Sequence, residues 1–456
     1  MGNALQAGVA ETTINPRMGM QIDGNIGVHR PARLVLSDLH ARALALQQGE
    51  ERFLLLSLEL LAVTREWTEA IRAFAAEELG FSPDQVAVHA VQCHSAPSMG
   101  QIMLSDRLAP AREHPWMRGS DPDYGPLALA RIKPMLRAAV AGMRPVHLRF
   151  GTALETRVSF NRRIAMRDGT SEMGLAGRPQ DALYREGPSD PEVGVALFTT
   201  EDLETPCALL HHTCHPVHWN PHDAVHGDWP GAWAERVRAE MLPGVTPLVL
   251  NGCCGNVLHS DALNPDREDT PQSMARLLTD AVRRALVGPC FTDERPLLAS
   301  RAERFAIPCR EFPAGAFEDA HRFIEEHPEP TWADETKTRF GRDWAYAASL
   351  LDVEQMIAEQ GDFEYEIQAL RIGDLAIVVL PGEPFVEAQL EIKQRSPATR
   401  TFLAHMSNRY VGYIPTPEAI RRGGYETHAW AASKLAPEAL QTITDRSVAL
   451  LRELYA

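Results

Sequence analysis

The chain has 456 residues, of which 45% are hydrophobic and 23% charged, and its formal net charge is -16. This length allows a sizeable buried core, and the composition argues against extensive disorder. The negative charge and the lack of a long basic run disfavour a nucleic-acid partner. The longest apolar stretches, 53–63 and 375–380, are shorter than the roughly 20 residues that span a bilayer, so no transmembrane segment is expected.

Cellular location is predicted from the amino-terminal segment and the cysteines. The first residues lack a charged stretch followed by an apolar one, so we expect no secretion signal and a cytoplasmic protein. The seven cysteines are odd in number and irregularly spaced, which favours reduced thiols over a disulfide framework. The sequence does not indicate an oligomeric state.

Apolar periodicity and turn residues predict a mixed α/β fold. In chain order we predict strands at 41–47 and 53–63, a helix at 64–79, a strand at 86–92, a helix at 126–143, strands at 146–152, 193–199 and 208–213, a helix at 229–241, a strand at 247–250, a helix at 271–286, a strand at 375–380, and helices at 384–393 and 437–455. Turn-rich segments at 97–125 and 161–191 are candidate site-lining loops. Residues 314–360 read as a mainly helical, polar insertion that covers a cleft. We expect a single domain over 1–456.

The first segment with catalytic potential is VAVHAVQCHSAPSMG, residues 86–100. If the strand that starts at Val86 continues to His94, then Gln92 and His94 point to one face and Cys93 to the other. Ser-Ala-Pro then ends the strand and leaves His94 at the sheet edge. A lone histidine in this place would more often be a hydrogen-bonded structural residue.

The second segment, residues 211–231, contains six of the 17 histidines and two aspartates. Imidazole is the commonest zinc ligand, so this density favours a metal site. His215 follows an apolar strand directly and precedes a proline, which would fix its ring at a sheet edge, and it is the preferred ligand. The remaining histidines could orient ligands, face the substrate or lie at the surface: His211, His212, His218, His222 and His226.

Three further segments contain groups that can ligate a metal or stabilise charge. Glu383 follows an apolar strand and a Pro-Gly turn, where it could be a carboxylate ligand or an acid that complements a helix dipole. Residues 407–427 place three tyrosines in a turn-rich context, and a phenol can ligate zinc or donate to an oxyanion: Tyr410, Tyr413 and Tyr425. Arg162 lies after a strand, where it could hold a carbonyl or a carboxylate or simply be solvated.

Together these segments resemble the neutral, non-lysosomal ceramidases, zinc amidases that cleave the amide of N-acylsphingosines. The resemblance runs from AGVAETTINP to GGYET and covers nearly the whole chain. Family motifs are matched by the stretches 92–97, His215-Pro216, Gly227-Asp228, Pro381-Gly382-Glu383, Tyr410 to Tyr413, Tyr425 and Asn161-Arg162. The resemblance implies a large catalytic domain with mixed sheets flanked by helices. We expect it without the family's C-terminal immunoglobulin-like domain.

The resemblance also implies site residues. Zn²⁺ is the expected cofactor, with His94, His215, Glu383 and Tyr413 as its ligands. Arg162 and Tyr425 are expected to stabilise the developing oxyanion, and Asn161 and Arg162 to contact the substrate. His94 is the alternative proton donor if it is not a ligand.

This sequence departs from the family pattern at two positions. Gln92 replaces the first histidine of the family's His-Thr-His. Because glutamine is a poor zinc ligand, either His94 or one of the extra histidines at 218–226 completes the site, or metal binding is altered. Leu258 replaces a serine in the family's Gly-Asp-Val-Ser-Pro-Asn loop, so no serine nucleophile is implied. A ceramidase-like hydrolase is therefore a better description than a ceramidase.

The expected function is zinc-dependent hydrolysis of an amide by water, with an N-acyl amine or another small soluble amide as the substrate. The alternative to a soluble amide is an acyl chain held between loop 97–125 and segment 314–360. A second enzymatic reading uses Cys253 or Cys254, at a strand-to-turn junction, as a nucleophile. A third is an inactive binding protein of the same fold.

Overall fold

The computed structural model describes residues 4–175, 177–218 and 223–456, which form three principal mixed sheets. In spatial order the strands of the first are Val86–Ala90, Glu51–Leu58, His40–Gln48, Gln6–Thr13 and Arg144–Pro145. Those of the second are Thr246–Asn251, Cys207–His212, Glu192–Thr199, His147–Leu154 and Cys290–Asp293. Those of the third are Leu298–Ile307, Phe363–Ile372, Leu375–Val379 and Arg400–Ala404.

Short strands complete the β-structure. Ser171–Met173, Arg163–Met166 and Ala182–Arg185 form a small three-stranded sheet. Two-stranded pairs join Leu34–Val35 to Ala224–Val225, Phe160–Asn161 to Val257–Leu258, and Glu383–Pro384 to Tyr413–Ile414. The predicted loop at 161–191 is therefore largely this small sheet, because its short strands pair with each other outside the principal sheets.

Helices cover the outer faces of the sheets. The α-helices are Arg65–Phe74, Ala109–Glu113, Tyr124–Ala141, Asp228–Glu240, Pro271–Val287, Ala316–Glu326, Arg342–Gln360, Val386–Arg395, Pro417–Arg422 and Ala439–Tyr455. A π-helical turn, Ala75–Leu79, extends the first of them. The 3₁₀ turns are Pro83–Gln85, Pro115–Arg118, Pro179–Asp181 and Tyr425–Thr427. Among these described helices, none has the length and apolar character needed to cross a bilayer.

Side-chain alternation along the strands explains the layered packing. In strand His40–Gln48, Leu44 and Leu46 face a central core that all three principal sheets share. Ala43 and Ala45 face the opposite way, into the core beneath the helices. Successive strand residues point to opposite faces, so an uninterrupted apolar strand signals burial on both sides. The mixed α/β architecture predicted from the sequence is confirmed.

The strands that precede the candidate site residues meet at a junction of the three sheets. The ring of His89 links them: its Nδ1–H donates to the carbonyl of His405 (2.6 Å), and its Nε2 accepts from the Asn251 N–H (3.1 Å). The N–H of His405 in turn donates to the Asn251 carbonyl (3.0 Å). Burial lowers the pKa of His89 to about 4, which keeps the ring neutral and suited to this donor–acceptor role. These hydrogen bonds fix the positions of the strand ends from which the candidate site segments begin.

Candidate active site

The predicted site residues follow the carboxyl ends of strands from all three principal sheets. His94 comes four residues after Val86–Ala90, His215 three residues after Cys207–His212, and Glu383 four residues after Leu375–Val379. Ligands bind preferentially beyond the carboxyl ends of strands, because the loops there project free polar groups from a rigid edge. The structure brings these three residues from distant parts of the chain to one place.

His94 is held by a glycine. Its Nδ1–H donates to the carbonyl of Gly24 (2.9 Å), so the lone pair is on Nε2, which is buried without a hydrogen-bond partner. A carbonyl can only accept, and this fixes the tautomer. Burial, with a contribution from nearby His215, lowers the pKa of His94 to about 3. His94 is therefore a neutral base or ligand, and its expected role as a proton donor requires that it first take up a proton.

The strand before His94 ends earlier than the sequence pattern predicted, at Ala90. Gln92 adopts a positive φ of 70°, yet Gln92 and His94 both line the same cavity, and Cys93 points away to donate to the carbonyl of His226. The predicted sidedness is confirmed although the extended strand is not. The Gln92 side chain accepts from the Cys254 thiol (3.3 Å).

His215 is almost fully buried and is oriented in the same way. Its Nδ1–H donates to the carbonyl of Cys254 (2.6 Å), which leaves Nε2 without a hydrogen-bond partner. Metal-binding histidines commonly donate their other ring N–H to a carbonyl or carboxylate, which fixes the ring and raises its basicity. A Cβ on Gly255 would lie 2.4 Å from the Glu383 carbonyl, so the segment after Cys254 packs directly against the next ligand-type residue.

Glu383 and Tyr413 lie side by side on a short parallel pair of strands. The sequence had placed Glu383 at the start of a helix, but the helix begins three residues later at Val386. Oε2 of Glu383 is buried without a hydrogen-bond partner and lies 3.2 Å from Nε2 of His215. Burial raises the pKa of Tyr413 well above its ordinary value, an effect that the charge of Glu383 increases and that of Arg162 opposes.

The orphaned atoms of His215 and Glu383 fit a metal ion, and Tyr413 lies beside Glu383 on the paired strand. Two ligands at about 2.1 Å on a tetrahedral zinc lie about 3.4 Å apart, close to the observed spacing between His215 and Glu383. His94 is less close: it forms no trio with His215 and Glu383 whose ligand atoms all approach within 4.8 Å, although such a trio exists elsewhere among the described residues. The rings of His94 and His215 are 5.6 Å apart at their centroids. Nε2 of His94 is thus either a free base near the His215–Glu383 pair or a ligand at a longer distance from it.

Arg162 lies above the two site tyrosines and is held by a buried carboxylate. Its Cζ is 5.4 Å from the ring centroid of Tyr413 and 6.0 Å from that of Tyr425. Its Nε donates to Glu426 (2.7 Å), and its Nη2 donates to the Gly255 carbonyl (2.8 Å). Because these hydrogen bonds use much of the guanidinium, Arg162 is better placed to supply a fixed positive charge beside the tyrosines than to bind a substrate directly.

The remaining two predicted site residues lie in different surroundings. Asn161 is committed to the backbone: its amide donates to the Pro188 carbonyl and its oxygen accepts from the Arg163 N–H. It is placed to shape the Arg162 loop rather than to reach a ligand. Tyr425 retains 41% exposure and lines the cavity with Tyr413.

A cleft of about 820 Å³, including its open mouth, connects these groups to solvent. Its polar end contains Gln92, His94, Glu383, Tyr413 and Tyr425. Its apolar wall contains Ile102, Met103 and Leu104 from loop 97–125, Phe340 and Ala345 from segment 314–360, and Ile26, Leu61, Met406 and Trp430. Both sequence segments that were expected to border a channel do border this cleft.

The structure disfavours a cysteine nucleophile. Cys253 and Cys254 are fully buried, and burial raises the pKa of both thiols, which suppresses the reactive thiolate. Among the other histidines of segment 211–231, His211 stacks on Phe402 and His212 donates to the Glu192 carbonyl, while His222 lies outside the described residues. His218 and His226 lie around Asp228 and are considered below.

Two solved structures share this architecture. One is a neutral ceramidase from Pseudomonas aeruginosa, with a TM-score of 0.72 and 15% sequence identity over 99% of this chain and 74% of that one. The chain has the neutral-ceramidase fold. The other is a ceramidase complexed with C2, with the same TM-score and identity over 75% of its chain. No protein-family model and no curated protein sequence matches. The fold resemblance inferred from the motifs is thus confirmed at an identity too low for overall sequence similarity to reveal it.

Within the neutral-ceramidase fold, three contributors to the site escaped sequence reasoning. Gly24 and Cys254 act through backbone carbonyls, which carry no sequence signal. Glu426, fully buried, accepts from both Arg162 and Arg163 (2.7 Å each) and fixes the charge above the tyrosines. Its position directly after Tyr425 was the one available indication.

Proposed function

We propose that this protein is a metal-dependent amidohydrolase that cleaves an N-acyl amine. The observation that supports it most directly is the pair His215 Nε2 and Glu383 Oε2, both buried, both without hydrogen-bond partners and 3.2 Å apart. Leaving such groups unsatisfied costs about 1–3 kcal/mol each, which a bound cation would offset. The mixed nitrogen and oxygen donors suit zinc.

A zinc ion held by His215, Glu383 and Tyr413 would supply Lewis-acid chemistry, polarising the scissile carbonyl and acidifying water. The Nε2 of His94 accepts a proton from the attacking water and passes it to the leaving amine, because this atom is the neutral base without another partner at the polar end of the cleft. The Tyr425 hydroxyl donates to the oxygen that gains negative charge. The positive charge of Arg162, which lies beside the Tyr413 ring, also stabilises negative charge at this end of the cleft.

The cleft favours an acyl group over a wholly polar substrate. Its wall is apolar on the side formed by loop 97–125 and segment 314–360, as is usual in pockets for small molecules. An acyl chain would bury against that wall at roughly 0.8 kcal/mol for each methylene. A medium-length N-acyl amine would place its amide at the polar end of the cleft and its acyl chain against the apolar wall. The alternative, which the similarity to solved ceramidases raises, is a long-chain lipid.

A panel of N-acyl amines of increasing acyl length tests this assignment. We expect kcat/KM to rise with length until the cleft is filled and then to level off or fall. Ala345→Leu should move the optimum to shorter chains, because Ala345 lines the cleft, whereas Ala358→Leu on the exposed side of the same helix should not. A steady rise to long-chain ceramide would contradict the medium-length substrate, and no cleavage of any member would contradict the amidohydrolase.

A further inference from the structure

A second cluster of ligand-type side chains lies on the two chain segments that carry His215 and its carbonyl partners. His218 follows His215 by three residues, and His259 directly follows Leu258, which forms a β-bridge with His215. Asp269 completes the cluster. One ring nitrogen from each histidine and one oxygen of Asp269 lie within 4.8 Å of one another. None of the three residues was assigned a role by the family resemblance.

His218 is oriented by a carboxylate that is itself fixed. Its Nδ1–H donates to Oδ1 of Asp228 (2.7 Å). Asp228 is fully buried at the start of helix Asp228–Glu240 and also accepts from the backbone N–H groups of His218 and Trp229. A carboxylate that accepts from one ring nitrogen commonly orients the other toward a metal. The arrangement therefore turns Nε2 of His218 outward from Asp228.

That outward nitrogen has no hydrogen-bond partner although its side chain is only 3% exposed. It lies 3.3 Å from Oδ1 of Asp269, in a geometry that makes no hydrogen bond. The distance is close to the roughly 3.4 Å that separates two ligands on a tetrahedral zinc. The rings of His218 and His259 stack with centroids 3.5 Å apart, and Nδ1–H of His259 donates to the other oxygen of Asp269 (2.7 Å).

The charge of the cluster in its metal-binding form, with both imidazoles neutral, is also negative. Asp228 and Asp269 contribute two carboxylates, whereas Arg267, which donates to Asp269 (3.0 Å), contributes one guanidinium. With neutral imidazoles the cluster keeps an excess negative charge that a divalent cation would neutralise. Asp269 is 25% exposed and gives the cluster access to solvent.

We propose that His218, His259 and Asp269 form a second metal site, which takes a divalent transition-metal ion of the zinc class. Two imidazoles and one carboxylate select such ions over calcium and magnesium, which prefer oxygen ligands. Binding requires Nε2 of His218 without a proton, so a proton carried on that nitrogen is released to solvent when the ion binds. The ion joins the segment at 215–218 to the segment at 257–259, and so braces the backbone that holds His215.

Zinc stoichiometry of the full chain tests the proposal. Metal-free protein is titrated with Zn²⁺, and bound metal is counted by elemental analysis after buffer exchange. We expect two equivalents for the wild-type chain and for the control Glu268→Gln, which removes an exposed carboxylate next to Asp269. Asp269→Asn and His259→Gln should each lose one equivalent, and His215→Gln should lose the other.

The outcomes separate this site from the proposed active site. A single wild-type equivalent that Asp269→Asn loses and His215→Gln keeps would support the second site and contradict the proposed function. Retention of the wild-type stoichiometry by both Asp269→Asn and His259→Gln would overturn the second site. If either variant does not fold, anomalous diffraction from zinc-soaked wild-type crystals decides: a peak between the three side chains supports the site, and its absence overturns it.

Discussion

His215 and His218 are three residues apart, yet they belong to clusters with different surroundings. The His215 ring donates to a backbone carbonyl, whereas the His218 ring donates to the carboxylate of Asp228. In the metal-free protein burial lowers the pKa of His218, but Asp228 and Asp269 raise it more, to about 9. The His215 ring, held by a carbonyl, has a free nitrogen that a metal can bind. At His218, which lies between two carboxylates, a proton competes with a metal ion for the corresponding nitrogen.

The clusters also differ in what they can reach. The first, His215 with Glu383 and Tyr413, is assembled from different sheets, and Glu383 and Tyr413 line the cleft with the apolar wall. The second is assembled from neighbouring segments, and the residues found to line that cleft do not include His218, His259 or Asp269. The first arrangement suits chemistry on a bound substrate, and the second suits a structural ion. The following variants sharpen or break this contrast.

The largest effect is expected at Glu383. Glu383→Gln should lower amide hydrolysis by at least about 10³-fold, more than the loss of one oxyanion donor, because it removes a charged ligand-type group. Bound metal should fall by one equivalent. Glu391→Gln, a partly exposed carboxylate on the following helix, is the matched control. Unchanged turnover in Glu383→Gln would mean that the cleft is not the site of catalysis.

The next effect concerns Tyr425. Tyr425→Phe should keep the metal content and lower kcat by about 10² to 10³, the range for deleting one oxyanion donor. The measurement is steady-state hydrolysis of the best N-acyl amine beside elemental analysis of the same preparation. A wild-type rate would leave Tyr425 as a structural part of the cavity wall.

A smaller loss is expected at Gly24, whose carbonyl holds His94. A Cβ there would lie 2.7 Å from Nδ1 of His94, so Gly24→Ala should displace the ring and lower kcat about 10- to 100-fold, as for other losses of a ligand-orienting partner. Gly19→Ala is the control, because Gly19 also has a positive φ but has open space around its Cβ position. Equal losses in both variants would indicate backbone strain rather than displacement of His94.

The smallest effect is on the free energy of unfolding and concerns Glu59, which packs against the backbone just before Asp228. Glu59 is buried against Arg42 and lies 3.0 Å from the Cβ position of Gly227. Burial alone would raise the pKa of Glu59, but Arg42 and His40 lower it to about 2. A lowered pKa stabilises the fold above the ordinary value of 4.5, and this stability is lost as the pH falls through 2.

Denaturant unfolding between pH 7 and 2 tests this linkage. Glu59→Gln should reduce the free energy of unfolding at neutral pH by up to about 3 kcal/mol and flatten its pH dependence below 4.5. Glu50→Gln, in an exposed turn, should leave the curve unchanged. A variant curve parallel to the wild-type curve in acid would show that Glu59 does not carry the dependence.

The sequence was most informative where burial imposes a simple pattern. Strands such as Leu375–Val379 are continuous apolar runs, and the predicted ends lie within a few residues of those observed. Leu298–Ile307 and Phe363–Ile372 were missed, because they contain charged residues at partly exposed positions and lack that pattern. His94, His215, Glu383 and Tyr413 were predicted from their places after apolar strands or in a turn-rich segment, and then from the order of the family motifs.

The parts that sequence could not supply depend on long-range contacts. The hold of Gly24 on His94 joins residues 70 positions apart, and that of Glu426 on Arg162 joins residues 264 apart. The second cluster required Asp269 to fold back on His218 and His259, although His218 had been noted among the possible site residues. Sequence separation does not predict such pairs, because the tertiary fold brings them together.

Metal removal and return in one preparation tests the central account most directly. Chelated, metal-free wild-type protein should have lost hydrolysis of the best N-acyl amine while keeping its folded circular dichroism spectrum. Added Zn²⁺ should restore hydrolysis in proportion to the equivalent that His215→Gln fails to bind. Full activity in the metal-free protein, or restored activity in metal-loaded His215→Gln, would contradict a metal-dependent amidohydrolase centred on His215 and Glu383.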